Sequence, residues 1–130
     1  MAETLTKETK NPASSRQAIL VFHFADRIKA EIHLASSLLA SVAQMQGLER
    51  EGASRLFLEF LQGLEMEINL AQAQINEPEM VRVSTVMRGL KGMADASMFE
   101  EMQSHFTWMI TVMATFAHRA MEYLIREKLL

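Results

Sequence analysis

Apolar residues recur along this chain at alternating steps of four and three, in four separate runs that almost nothing interrupts. That spacing keeps every member of a run on one face of a helix and conflicts with the period-two alternation of a strand. The first run is Val21, Ala25, Ile28, Ile32, Ala35, Leu39 and Val42; the second is Phe57, Leu61, Leu64, Ile68, Ala71 and Ile75. A shorter third carries Met80, Val83, Met87, Leu90 and Ala94. The longest, the fourth, runs from Phe99 through Met102, Phe106, Met109, Met113, Phe116 and Ala120 to Tyr123. Proline occurs 2 times and glycine 5 times in 130 residues, so long helices meet few breakers.

Local signals divide the runs. Ser14 and Gln17 have capping-box spacing, which starts helix one at residue 13 to 15. Its pattern runs out at Gln46-Gly47, where glycine can take a left-handed stop. Helix two is expected from near Glu49 to Asn76-Glu77-Pro78, with Pro78 tolerated in the first turn of helix three. Gly89 and Gly92 weaken helix three. Asp95 or Ser97 is expected to cap helix four, with Ser97 and Glu100 forming a second capping box. Short connections make sequential helices antiparallel neighbours. The expected fold is therefore all-α, an antiparallel up-down four-helix bundle with long first and last helices and a short third. One bundle domain spans residues 13–130, behind a disordered tail at 1–12.

Several function classes fall away. With Cys 0 there is no disulfide framework, zinc finger or thiol chemistry. A formal charge of −3 gives no global basic footprint for nucleic acid. The most apolar stretches, Ala18–Ala25 and Phe106–Ala117, are shorter than the roughly 20 residues a bilayer requires. The polar start has no signal-peptide apolar region. The expectation is a cytoplasmic protein without membrane or nucleic-acid partners.

Catalytic and metal patterns are equally sparse. A ferritin-like bundle sets Glu-x-x-His pairs inward, but Leu20, Ala30, Met102 and Thr115 stand three before the four histidines. Only His105 with Glu101, His118 with Glu122, and His23 with Asp26 have pair spacing, which solvated ion pairs also explain. Glu31 and Glu67 flank the seams of helices one and two, suited to an interhelical contact. Gly89-Leu90-Lys91-Gly92 follows no strand and makes no phosphate loop; no Gly-x-Ser-x-Gly elbow occurs. Methionines on the seams serve as flexible core filler. No cofactor, metal or catalytic residue is expected, and a ferritin-like metal-binding bundle is the second alternative function.

Surplus apolar residues point to a partner. Phe22 and Phe24 lie off the seam of helix one, and Trp108, Ile110 and Val112 off that of helix four. A short third helix cannot cover its neighbours along their full length. These five residues are therefore candidate contacts of a homodimer, in a non-enzymatic protein working through protein–protein contact. Arg82, Arg88 and Lys91 form a second candidate face, open to an acidic partner or a phosphate.

One stretch resembles a known family. Arg88-Gly89-Leu90-Lys91-Gly92-Met93-Ala94 is similar to the His-x-Leu-Lys-Gly-x-Ala signature of histidine-containing phosphotransfer domains, which are four-helix bundles. Leu56-Phe57-Leu58-Glu59-Phe60-Leu61 resembles the preceding helix, and Phe99 and Met102 the following one. The likeness covers about residues 56–102. Arg88 stands in place of the phosphoacceptor histidine, and a guanidinium cannot carry the phosphoryl group. The resemblance implies, as the alternative function, a degenerate signalling adaptor that docks a receiver-type partner through Arg88 and Lys91.

Overall fold

The computed structural model describes residues 12–129. Of the tail expected over residues 1–12, only Pro12 lies within that range. Four helices follow one another: α1 (Ser15–Gln44), α2 (Gly47–Gln72), α3 (Pro78–Asp95) and α4 (Phe99–Arg126). No strand occurs among the described residues. Each helix packs against its sequence neighbours, and α4 returns to close the ring against α1, where the most extensive contact lies. The result is the four-helix bundle that the apolar spacing implies. At about 1.5 Å per residue α1 and α4 are roughly 42–45 Å long and α3 about 27 Å.

The four runs converge on one core. Ile28, Ile32 and Leu39 of α1, Leu61, Leu64 and Ile68 of α2, Met80, Met87 and Leu90 of α3, and Met102 and Phe106 of α4 are fully enclosed. One polar bridge crosses the long α1–α4 contact. The Gln103 amide nitrogen donates to the Ser36 carbonyl at 2.8 Å, and the Ser36 hydroxyl donates back to the Gln103 amide oxygen.

The helix ends show where local signals held. Ser14 is the N-cap of α1: its hydroxyl accepts from the Gln17 N–H at 3.1 Å. The Gln17 side chain closes back on the Ala13 N–H at 2.6 Å, one residue before the cap. Pro78 opens α3, and Glu77 before it is extended (φ −128°, ψ 144°), as the ring of a following proline demands. Gly47 is left-handed (φ 60°), but it begins α2 and does not end α1.

Three expectations are corrected. Helix α2 starts at Gly47 and ends at Gln72, so Ile75 is buried from a turn beyond the helix. Its N–H still reaches the Ala71 carbonyl at 2.8 Å, which folds the connection inward. Ser97 is no N-cap. It sits in the left-handed region (φ 58°), its N–H donates to Ala94 and that of Met98 to Met93, so it closes the end of α3 in a Schellman turn. Met98 precedes α4 without a side-chain cap bond. Val112, read as off the seam, is buried.

Candidate functional site

The sequence-nominated residues do not assemble into one site. On α3, Arg82 and Arg88 are six positions apart, about 120° around the helix. Arg82 edges a shallow depression of about 390 Å³ between α3 and α4, lined also by Val81, Thr85, Val86, His105 and Trp108. Lys91 turns the other way, its Nζ 2.9 Å from Glu65 Oε1 on α2. Its charge is matched within the chain, and only the exposed Arg88 remains on that flank. Arg88 and Lys91 therefore do not present a joint pair of unmatched cations.

The histidines are scattered as well. His118 pairs with Glu122 at 2.8 Å on an exposed turn. His105 lies in the α3–α4 depression, and His23 meets the edge of Phe24 while Asp26 turns to Lys29 at 3.8 Å. Among the described residues no three histidine or carboxylate side chains gather as a metal would need.

Glu31 and Glu67 do come together. Arg27 Nε lies 2.6 Å from Glu67 Oε1 and 3.1 Å from Glu31 Oε1, linking α1 to α2. Burial, then a hydrogen bond that protonated Glu67 donates to Glu31, then the Glu31 charge push the Glu67 carboxyl up to about 7, against the pull of Arg27. Three charged groups at one interhelical edge can share a proton and a cation. Their chemistry is that of a helix–helix clasp.

The proposed dimer residues are largely used by the chain itself. Phe22, Phe24, Trp108 and Ile110 are half-buried against the core, and Val112 is within it. The outermost line of α4 is polar: Thr107, Thr111 and Thr115 are exposed, each donating to the carbonyl four residues earlier at 2.9–3.1 Å.

Exposed apolar surface lies elsewhere. On α2, Leu48 (85%), Leu56 (69%), Met66 (64%) and Leu70 (64%) stand open to solvent. Exposed Leu34 and Leu38 on α1 add to this inventory. The pairing of Arg27 with Glu67, and of Arg50 with the Ala43 carbonyl, sets the antiparallel register of α1 against α2. That register brings Leu38 level with Leu56. Sequence reading passed over the α2 residues because one apolar run, through Phe57 and Leu61, already accounted for the helix. The usable signal was a second four-three register beside the first: Leu48, Gly52, Leu56, Glu59, Gly63, Met66 and Leu70.

No helix among the described residues is long and apolar enough to cross a membrane. Set against protein families, curated proteins and solved structures, the chain finds no match.

Proposed function

We propose that this protein is a small non-enzymatic interaction module that associates with a second copy of itself. The observation that carries this reading is the outward face of α2, where four large apolar side chains are more than half exposed. Single exposed leucines are ordinary on a protein surface, but a line of them along one helix is the pattern of an interaction surface. The side chains best suited to chemistry are engaged in pairwise clasps, as in Arg27–Glu67 and His118–Glu122. A cytoplasmic setting suits a chain that holds no cysteine and needs no oxidising compartment.

Sedimentation equilibrium between about 1 and 100 μM tests the reading. The expected result is a mass approaching twice the 14.7 kDa chain. Leu56→Glu combined with Leu70→Glu should return the single-chain mass while leaving the helical circular dichroism unchanged. A wild-type mass of one chain throughout would overturn the proposal.

A further inference from the structure

The outward stripe of α2 matches its own reversal, and this points to a specific mode of self-pairing. Its members are Leu48, Gly52, Leu56, Glu59, Gly63, Met66 and Leu70, with Glu59 at the centre. Laid antiparallel on a second copy about a two-fold axis near Glu59, the stripe sets large against small. Met66 falls opposite Gly52 and Leu48 opposite Leu70, while Leu56 comes within one residue of Gly63. A two-fold interface must be self-complementary in this sense. A parallel pairing would set leucine on leucine and glycine on glycine, leaving gaps at both glycine levels.

Two further observations favour a second copy as the occupant. Gly52 and Gly63 lie inside α2, where glycine weakens a helix by roughly 0.5–1 kcal/mol relative to alanine. Nothing in the chain comes within 4 Å of a Cβ built at either position, so the chain's own packing does not require them. Every glycine of the chain has this free space, and at Gly52 and Gly63 it would admit the close approach of another helix. Exposed Arg55 and Glu59 are the charges nearest the axis, and neither joins an ion pair among the described residues. Antiparallel pairing sets the two Glu59 carboxylates against each other at the axis, and Arg55 of each copy, about one turn away, offsets their repulsion.

We infer that α2 pairs antiparallel with α2 of a second copy about an axis at Glu59, with Gly52 and Gly63 receiving Met66 and Leu56. This rests on the self-association proposed above and specifies its geometry. The contact runs about 33 Å along the helix.

Because the chain has no cysteine, introduced thiols report the register without background. Under mild oxidation Glu59→Cys should cross-link to a dimer by itself. Leu48→Cys and Leu70→Cys should cross-link when the two chains are mixed, and each at least tenfold less when alone. Gly63→Leu should keep or raise the melting temperature of the helical fold while weakening dimerisation at least tenfold. Self-linking of Leu48→Cys would overturn the antiparallel geometry. So would a two-chain mass with no link at Glu59→Cys, or undiminished dimerisation of Gly63→Leu; both leave self-association itself standing. A single-chain mass for the unmodified protein at 100 μM would overturn both proposals together.

Discussion

Helices α1 and α4 bury their apolar residues in a different way from α2 and α3. The α1–α4 pair is long, and half-buried Phe22, Phe24, Trp108 and Ile110 thicken its contact with the chain's own core. The α2–α3 edge is shorter and more polar, crossed by the Ser84 hydroxyl donating to Asn69 Oδ1 at 3.2 Å and by Lys91–Glu65. Because α3 is short and α2 carries two apolar registers, one register is left facing out. The second register of α2 lies opposite its core face and stays open to solvent along the helix.

The sharpest way to test the difference is to empty the long contact. Phe106 is fully buried, and Phe106→Ala should lower unfolding free energy by about 3–5 kcal/mol in urea titration. The same cut at Leu56 on the outer stripe should cost under about 1 kcal/mol in a dilute, dissociated sample. Equal losses would erase the contrast.

The α1–α2 edge adds a pH dependence. The Glu67 carboxyl holds its proton to about 7 when folded, against an ordinary 4.5. Its contribution to stability is therefore complete below about pH 4.5 and is lost as pH rises through 7. Between pH 5 and 8 the unfolding free energy should fall by on the order of 1–3 kcal/mol on this account. Glu67→Gln should flatten that slope and raise stability at pH 8, as chemical denaturation at each pH would reveal. A slope unchanged by the substitution would assign the titration to another group.

Smaller effects sharpen the picture of the α2–α3 side. Ser84 is buried, and Ser84→Ala should cost about 1 kcal/mol by removing its bond to Asn69. Ser97→Gly should stabilise by about 0.5–1 kcal/mol, because a left-handed backbone strains any residue with a Cβ. A melting temperature that falls on Ser97→Gly would contradict the Schellman turn at the end of α3.

Most of the bundle was legible because burial of one helical face leaves a spacing in the sequence. Val21 to Val42 mark their face throughout, and Met102 to Ala120 mark theirs with Val112 as the exception. Helix ends were less legible. Serine has a sound physical preference for N-caps, and at Ser14 that preference decided the structure. At Ser97 the six-residue turn closing α3 took priority and drove serine into a conformation that its side chain does not favour. The candidate surface was harder still. Phe22 and Trp108 were visible as surplus, but whether surplus residues meet their own core depends on how closely neighbouring helices approach.

The sequence by itself determined an all-helical chain, the core-facing side of each helix, the cap at Ser14, the start of α3 at Pro78, and the absence of thiol chemistry. These follow from periodicity, backbone stereochemistry and composition, which act over a few residues. Only the tertiary structure decided that Glu31 and Glu67 share Arg27, that Lys91 is matched by Glu65, and that Trp108 is half-buried against the core while Leu56 and Leu70 are exposed. Those outcomes depend on the angle and separation of whole helices, set by the sum of core contacts and carried by no single local pattern.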